Sequence, residues 1–293
     1  MRVGVVVNPT AGKGRGASAL PEITDALALA AHQQVNLSAN NYADALANAK
    51  RAISGGKIDA LLVAGGDGMA HLGVNACAES DVPLGLIPRG TGNDSARALG
   101  IPLGETSIQH VIDHLEKPRR VDAMNVRSST GQFFSFGTVS AGFDALVNQR
   151  ANGWSFPKGA SRYPIAMLAE LANFKPISYQ VQVDGEKRSF KAMLCAVANA
   201  SSYGGGMLIA PEAKVDDGLL DLFVVHEISR PELIRIFPKV YTGRHVSHPA
   251  VEFVRAKSFH IEAHQMPVFA DGEATGHSPL SVTVRPGALV VAA

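Results

Sequence analysis

Short apolar runs and helical stretches alternate along the first part of the chain. Val3 to Val7 is a continuous apolar run that ends at Asn8-Pro9, as expected of a short buried strand. Further strands are predicted at Val35 to Ser38, Asp59 to Ala64 and Pro83 to Ile87. Helices are predicted near Pro21 to Ala31, at Ala43 to Ile53, from Gly68 to about Ala78 and from Ser95 to Leu99. This alternation predicts βαβ units in a parallel, doubly wound sheet.

The pattern changes to closely spaced strands after about Val121. Turn signals such as Asp184-Gly185 join several of them, which indicates an antiparallel β domain. The sequence therefore predicts an α/β domain over residues 1–122 and a β-sandwich domain over residues 123–293. The predicted strands are Phe133 to Val139, Ser178 to Val183, Lys191 to Ala198, Leu219 to His226, Ser258 to Glu262, Met266 to Ala270 and Leu280 to Val284, with helical insertions at Tyr163 to Asn173 and Pro231 to Thr242.

Composition indicates a folded globular protein and excludes several functional classes. Of 293 residues, 46% are hydrophobic and 18% are charged, which is enough for a sizeable core. A net charge of +1, from 27 basic and 26 acidic residues, argues against general electrostatic binding of nucleic acid. Cys77 and Cys195 lie far apart in apolar segments, as expected for reduced, buried thiols in the cytoplasm. No segment is long and apolar enough for a membrane span, so contact with a membrane would be peripheral.

Glycine-rich loops follow three of the predicted parallel strands, and ligands of such sheets bind at the carboxyl ends of strands. The loops begin at Asn8, which is followed by Lys13, at Gly65-Gly66-Asp67-Gly68, and at Gly90-Thr91-Gly92-Asn93. Glycine allows the backbone to approach an anion closely, and free N–H groups at a helix start favour negative charge. Together the loops predict a phosphate cradle, although none contains the Gly-Lys-Ser/Thr of a P-loop.

Asp67 and Asp94 each allow two interpretations. A carboxylate beside phosphate groups would repel them unless a cation lies between, which predicts Mg²⁺. Alternatively, either side chain could cap the start of a helix. These residues alone do not decide whether Asp271-Gly272-Glu273 has a functional role, because a turn of this composition is often an ordinary hairpin tip.

The motifs of the chain, taken in order, resemble those of one enzyme family. They are Asn8-Pro9 with its glycine-rich loop, Gly65-Gly66-Asp67-Gly68, Gly90-Thr91-Gly92-Asn93-Asp94 with Ala96-Arg97, Ser140-Ala141-Gly142-Phe143-Asp144-Ala145, Ala210-Pro211-Glu212-Ala213 with Asp217-Gly218-Leu219-Leu220, and Asp271-Gly272-Glu273. They resemble the bacterial diacylglycerol kinases, soluble lipid kinases related to eukaryotic diacylglycerol and sphingosine kinases. The resemblance spans nearly the whole chain and implies a fold like that of NAD kinase and diacylglycerol kinase. It also implies transfer of the γ-phosphate of ATP to a lipid hydroxyl in phospholipid biosynthesis, with diacylglycerol as the first candidate and phosphatidic acid as its product.

The resemblance also implies roles for individual residues. Glu273 is implied as the general base, and Asp67, Asp94 and Asp122 as an acidic network that holds catalytic Mg²⁺ through water. A second, structural Mg²⁺ is implied at the carboxylate of Asp217 and the backbone carbonyls of Lys214 and Leu219. The residues implied to bind ATP are Asn8, Pro9, Lys13, Gly65, Gly66, Asp67, Gly68, Met69, Thr91, Gly92, Asn93 and Arg97.

Some positions depart from the family pattern, which usually has Thr at position 69, often Glu at position 72 and often Phe at position 95. Met69 therefore lacks a hydroxyl that could contact phosphate. The alternatives are a kinase of small molecules similar to NAD kinase, and a catalytically silent regulator that binds nucleotide or lipid. The expected partners are ATP and a lipid alcohol, with transient contact at the inner membrane face, no nucleic acid, and a homodimer as the default state of assembly.

Overall fold

The computed structural model describes residues 1–8, 15–153, 165–166, 169–170 and 175–293. They form two compact units, Met1–Ala123 together with Arg285–Ala293, and Met124–Val284. The predicted division at residues 122 and 123 lies close to this boundary, but the predicted second domain also contained residues 285–293. Those residues belong to the first unit because the last strand continues past Pro286-Gly287, which is usually a turn signal.

The first unit contains a parallel sheet. Its strands are β1 (Arg2–Val7), β2 (Gln33–Asn36), β3 (Ala60–Gly65) and β4 (Leu84–Pro88), in the order β2-β1-β3-β4. All neighbouring pairs are parallel, and the end of β15 (Leu280–Val291) adds a short parallel pairing of Val291 with Leu84. β1, β3 and β4 are almost wholly buried, as their continuous apolar sequence predicts. The predicted doubly wound sheet is thus confirmed.

In the described part of this unit, the helices are α1 (Arg15–Leu29), α2 (Tyr42–Ser54), α3 (Asp67–Cys77), α4 (Asp94–Ala98) and α5 (Thr106–His114). α1 begins before Pro21, a residue more typical of a first helical turn, so the predicted start was late. α2 starts where the Asn41 side chain accepts a hydrogen bond of 2.9 Å from the Asp44 backbone N–H. Its Ala45, Ala49 and Ala52 face the core. α3 and α4 begin directly after the second and third glycine-rich loops.

The second unit is antiparallel. Its strands are β5 (Arg119–Ser128), which begins in the first unit, β6 (Gly131–Ser135), β7 (Thr138–Ser140), β8 (Ile177–Val183), β9 (Glu186–Ala198), β10 (Leu220–His226), β11 (Val251–Ala256), β12 (Ser258–Ala263), β13 (Pro267–Ala270) and β14 (Glu273–His277), with the first part of β15. β9 is the central strand and pairs with β7, β8 and β10, while the path β14-β13-β7-β9-β8-β12-β15 runs across the sheet. β10 also pairs with β11, and β5 pairs with β6.

Among its described residues, the second unit is stabilised by a larger and a smaller apolar cluster. The larger one contains inward side chains of the strands, including Tyr179, Phe259 and Val282. The smaller one joins the sheet to helical segments and includes Phe223 and Leu233. These segments are α6 (Phe143–Gly153) and α7 (Arg230–Ile236), the latter continued by 3-10 helices at Phe237–Thr242 and Arg244–Ser247.

The helix predicted at Pro231 to Thr242 is confirmed by α7 and the 3-10 helix that follows it. Most of the helix predicted at Tyr163 to Asn173 lies outside the described residues; residues 165–166 and 169–170 are helical. The predicted strand Phe133 to Val139 is divided into β6 and β7, and β5, β11 and β14 were not predicted. β14 carries few apolar residues, so pairing with β13 decides its structure. Among the described residues, no helix is long and apolar enough to span a bilayer.

Candidate active site

The loops that follow β3 and β4 lie side by side at the carboxyl edge of the parallel sheet. The Gly65 carbonyl accepts hydrogen bonds from the N–H groups of Arg89 (2.8 Å) and Gly90 (3.2 Å). A Cβ atom on Gly90 would lie 2.4 Å from the Cα of Gly66, so this approach requires glycine. The sequence prediction that the second and third glycine-rich loops share one edge is confirmed.

Asp67 connects the two loops. Its Oδ2 accepts a hydrogen bond from the Asn93 N–H (2.9 Å), and its Oδ1 accepts one from the Asp94 N–H (2.7 Å). Asp67 is the first residue of α3, and the two donors lie at the start of α4. The side chain therefore caps a helix, as one interpretation of the sequence expected, but the capped helix is α4 and not its own.

Asp67 and Asp94 together form a small acidic site. A Cβ atom on Gly92 would lie 2.6 Å from Asp67 Oδ2 and 3.4 Å from Asp94 Oδ2, so both carboxylates border the same small space. Burial raises the pKa of Asp67 to about 6, and the Asp94 charge adds to this rise, while the backbone N–H groups oppose it. A nearby cation would favour the ionised form.

The two carboxylates fit an Mg²⁺ ion held through water. Mg²⁺ keeps several waters and is usually bound by one or two carboxylates together with substrate phosphates. The Asp67 carboxylate accepts hydrogen bonds from the backbone N–H groups of Asn93, Asp94 and Ser95. A carboxylate offers about four acceptor sites, so one remains for a water ligand of the ion. Asp122, the third member of the implied network, is buried in β5, where its Oδ1 accepts a hydrogen bond of 2.8 Å from the Gly287 N–H.

Asn93 holds the β4–α4 loop in a closed turn. It has a left-handed backbone with φ 56°, its Oδ1 accepts from the Gly90 N–H (2.9 Å), and its Nδ2 donates to the Gly90 carbonyl (3.1 Å). Thr91 is exposed at the tip of this turn. The exposed Arg97 donates from Nε to the Gly92 carbonyl (3.2 Å), which places its guanidinium beside the loop.

Met69 and Asn8 flank Gly65. A Cβ atom on Gly65 would lie 2.4 Å from Met69 Cγ and 3.7 Å from Asn8 Cβ, so the Met69 side chain packs over the loop. The backbone N–H of Asn8 donates to the Ala64 carbonyl (3.1 Å) at the end of β3. Pro9 and Lys13, which were also predicted to bind ATP, lie outside the described residues.

Arg89 is a residue of this site that sequence reasoning missed. Its side chain is buried behind the β4–α4 loop, and Nη1 donates to the Gly104 carbonyl (3.1 Å) and Ser107 Oγ (3.2 Å). Nη2 donates to Glu22 Oε2 (2.8 Å), which ties the loop to α1. An arginine between a proline and a glycine carries no local sign of burial, because its partners are distant in sequence.

Glu273 lies in the second unit, as the exposed first residue of β14. Asp271 and Gly272 form the turn from β13 to β14, with φ 51° and 85°, values typical of a two-residue type I′ hairpin loop. Sequence reasoning missed the role of Asp271, whose carboxylate accepts from the N–H groups of Gly137 (2.7 Å), Phe136 (3.0 Å) and Thr138 (3.2 Å) and from Ser135 Oγ (2.8 Å). These bonds fix the turn that carries Glu273, whose role as general base stays a prediction.

The loop that contains Lys214, Asp217 and Leu219 is differently arranged. Asp217 Oδ1 accepts from the Leu219 N–H (3.1 Å), and its Oδ2 is paired with the Arg255 guanidinium. Arg255 Nε also lies 3.4 Å from Asp221 Oδ1, and burial raises the pKa of Asp221 against the opposing effect of Arg255. In this arrangement Arg255 supplies the positive charge beside Asp217, and the structural Mg²⁺ implied at Lys214, Asp217 and Leu219 stays a prediction. Among the described residues, no cluster of three or more His, Cys, Asp or Glu side chains is placed to hold a metal ion.

Comparison with known proteins agrees with this division of the chain. Residues 2–126 match the family profile described as the diacylglycerol kinase catalytic domain. Residues 137–293 match the profile described as the YegS C-terminal NAD kinase beta sandwich-like domain. The fold class predicted from sequence, an α/β domain followed by a β-sandwich domain, is confirmed.

Three similar proteins are described as diacylglycerol kinases. A diacylglycerol kinase from Mycobacterium tuberculosis strain H37Rv is 40% identical over 237 residues, which cover 80% of this chain and 76% of that protein. A diacylglycerol kinase from Staphylococcus carnosus is 29% identical over 285 residues, covering 95% and 90%. A Bacillus anthracis structure with a provisional assignment as a diacylglycerol kinase has a TM-score of 0.79 and 28% identity, covering 99% of this chain and 96% of that one. The chain therefore belongs to the diacylglycerol kinase family, as the resemblance of its motifs predicted.

Proposed function

We propose that this kinase transfers the γ-phosphate of ATP to the hydroxyl of diacylglycerol, giving phosphatidic acid and ADP. The observation that carries the proposal is the pair of glycine-rich loops after β3 and β4, joined by the Asp67 carboxylate. In the transfer, the bond from the acceptor oxygen to the γ-phosphorus forms while the bond to the β,γ-bridging oxygen breaks. The leaving group is ADP, and the acceptor proton goes to a carboxylate.

The residues of the first unit would hold and position the triphosphate. Gly66 and Gly68 have no side chains to block an approaching phosphate, and α3 begins here with backbone N–H groups that favour an anion. Asp67 and Asp94 would hold Mg²⁺ through water, and the ion would neutralise charge on the phosphates. Because phosphoryl transfer depends mostly on positioning and charge neutralisation, this arrangement suits a kinase.

Glu273 would accept the proton of the lipid hydroxyl. A lipid hydroxyl is a poor nucleophile, so a carboxylate within hydrogen-bond reach assists its attack. The exposure of Glu273 leaves its carboxylate open to solvent, and the four hydrogen bonds to Asp271 restrict the turn that carries it. A restricted turn suits a base, because proton transfer requires a defined position.

The direct test is transfer of label from γ-labelled ATP to acceptors presented side by side. The panel comprises diacylglycerol, sphingosine, ceramide, phosphatidylglycerol and NAD. We expect labelled phosphatidic acid with Mg²⁺ and none with excess chelator. Glu273→Gln should lower kcat by about 100-fold or more while ATP binding stays unchanged, because the amide cannot accept the proton. Glu262→Gln, an exposed glutamate on β12, is the matched control and should keep full activity.

NAD is the acceptor of the second candidate function. The match of residues 137–293 to an NAD kinase beta sandwich-like domain is the observation that favours it. If NADP becomes labelled and no lipid does, NAD takes the place of diacylglycerol as the proposed substrate. No labelled product from any acceptor, with ATP still bound, would favour a silent regulator instead. As a lipid kinase, the protein would act from the cytoplasm at the inner membrane face.

A further inference from the structure

The helical segment of residues 230–248 has apolar residues on two sides. Its inner row, Leu233, Ile236 and Val240, is buried, and Leu233 and Val240 belong to the smaller apolar cluster. Its outer row is Ile234, Phe237 and Tyr241, with the same spacing of three and then four residues. Side chains at this spacing lie on one face of a helix. The segment thus repeats its core pattern one residue further along the chain, on an adjacent face of the helix.

Two members of the outer row are exposed to solvent, and Phe237 between them is half-buried. Ile234 is 47% exposed and Tyr241 is 52% exposed, whereas Ile236 and Val240 of the inner row are 3% and 8% exposed. The rings of Phe237 and Tyr241 contact each other edge to face, with centroids 6.3 Å apart. Neighbouring apolar side chains that touch form a patch, and exposed apolar patches commonly mark interaction surfaces.

Positive charge surrounds this row. Residues 230–248 contain four of the 27 basic residues of the chain and one of its 26 acidic residues, so 23 basic and 25 acidic residues remain elsewhere. Arg230, Arg235, Lys239 and Arg244 are all exposed. The acidic residue, Glu232, is paired with His248 at 3.2 Å. A segment that is basic in an otherwise slightly acidic chain complements an anionic partner.

We propose that residues 230–248 form a docking surface for an anionic phospholipid bilayer. Helices that lie in the membrane interface combine Lys and Arg with exposed large apolar residues, and tyrosine is enriched at that depth. The basic residues would attract anionic headgroups, and Ile234, Phe237 and Tyr241 would enter the boundary between headgroups and acyl chains. This inference rests on the proposed lipid substrate, which the enzyme would meet at such a surface.

The test is co-sedimentation of the full-length protein with vesicles in the absence of ATP. We expect binding to vesicles of phosphatidylcholine mixed with phosphatidylglycerol and little binding to phosphatidylcholine alone. Arg235→Gln/Lys239→Gln should weaken binding by about fivefold for each cation removed, and added salt should weaken wild-type binding in the same way. Ile234→Ser/Tyr241→Ser should also weaken it, even at low salt.

Matched controls separate this surface from general effects. Lys187→Gln/Lys191→Gln removes two exposed cations from the β8–β9 hairpin of the same unit, and it should bind as wild type does. Leu29→Ser/Leu103→Ser removes two apolar side chains that are 90% and 40% exposed elsewhere, and it should also bind normally. If the apolar variant does not fold, the charge variant decides the question alone.

The kinase reaction is measured separately on a short-chain diacylglycerol dissolved in water. Retained turnover of that acceptor by variants that have lost vesicle binding would support the docking surface. Variants that bind vesicles as well as wild type would overturn it, whatever the kinase assay shows. Equal binding to neutral and anionic vesicles would overturn it too. Light scattering that shows a wild-type dimer and monomeric Ile234→Ser/Tyr241→Ser would assign the row to contact between two copies of the chain instead.

Discussion

Asp67 and Asp217 are two carboxylates to which the family resemblance assigns magnesium, and their surroundings differ. Both accept backbone N–H groups of a nearby turn. Burial raises the pKa of Asp67 to about 6, and the like charge of Asp94 beside it adds to this rise. The nearest charge to Asp217 is the opposite charge of Arg255.

The difference indicates which site needs a cation. Two carboxylates beside each other, with burial added, leave negative charge uncompensated, so an ion that binds there is stabilised. A carboxylate paired with arginine already has its cation. The comparison suggests that a bound ion serves catalysis at the β3 and β4 loops, while an arginine serves structure at the loop of residues 214–219. The predictions below test each half of that comparison.

The largest expected effect is on Asp67. Asp67→Ala removes both the carboxylate of the proposed ion site and the link between the two loops, so we expect kcat to fall by about 100-fold or more. Steady-state kinetics with ATP and diacylglycerol measures this. Asp113→Ala, an exposed aspartate on α5, is the control and should leave kcat unchanged. A wild-type kcat in Asp67→Ala would contradict the proposal that Asp67 holds a catalytic ion.

The second prediction concerns pH. The pKa of Asp67 in the folded protein, about 6, lies above its ordinary value of 3.8, so the folded state binds more protons between these values. The contribution of Asp67 to the free energy of unfolding is therefore fully present below pH 3.8 and is lost as pH rises towards 6, by about 3 kcal/mol. The measurement is the free energy of unfolding of wild type minus that of Asp67→Asn across this range. A difference that stays flat with pH would contradict the raised pKa.

The third prediction concerns Arg255. Arg255→Met leaves Asp217 without its cation and the buried Asp221 without an opposite charge, so we expect a loss of about 1–2 kcal/mol of stability. Arg188→Met is the matched control, since Arg188 is 41% exposed against 40% for Arg255 and pairs with the partly exposed Glu252. It should cost less than about 1 kcal/mol.

Magnesium distinguishes the roles at that loop. We expect the melting temperature of wild type to be insensitive to chelator, and Mg²⁺ to raise the melting temperature of Arg255→Met, where Asp217 becomes available. If chelator instead lowers the melting temperature of wild type but not that of Asp217→Ala, the ion implied by the family resemblance is present and Arg255 is not its replacement.

The smallest effect is expected at Met69. Met69→Thr places a hydroxyl where the family usually has one, beside Gly65, and we expect the KM for ATP to fall about threefold through one added hydrogen bond. Met167→Thr is a comparison with the same chemistry elsewhere in the chain, and it should leave the KM unchanged. An unchanged KM in Met69→Thr would mean that packing over Gly65 replaces the hydroxyl.

Features that depend on short stretches of sequence were predictable. The apolar runs of β1, β3 and β4 and the glycines that follow them are local patterns. They predicted the parallel sheet and the edge that its loops share. Asp67 and Asp94 were candidates from their place in these loops, and the family resemblance added Glu273 and Asp122. The functional roles of these residues stay predictions.

Features that depend on distant partners were not predictable. Arg89 contacts Glu22 and Ser107, and Asp271 contacts the turn after β6, across separations that no local pattern reveals. β14 is short and polar, and it is a strand because β13 offers it an edge. The pairing of Asp217 with Arg255 was not predictable either, because only the fold brings these two residues together.

The return of the C-terminal residues 285–293 to the first unit has a consequence for how the protein can be made. A fragment that stops at Ala123 would lack the strand end that pairs with β4, and the unpaired edge would favour aggregation. During synthesis, the first unit is complete only after residues 285–293 have left the ribosome. Expression of that unit alone therefore calls for a fused copy of the strand end that pairs with β4.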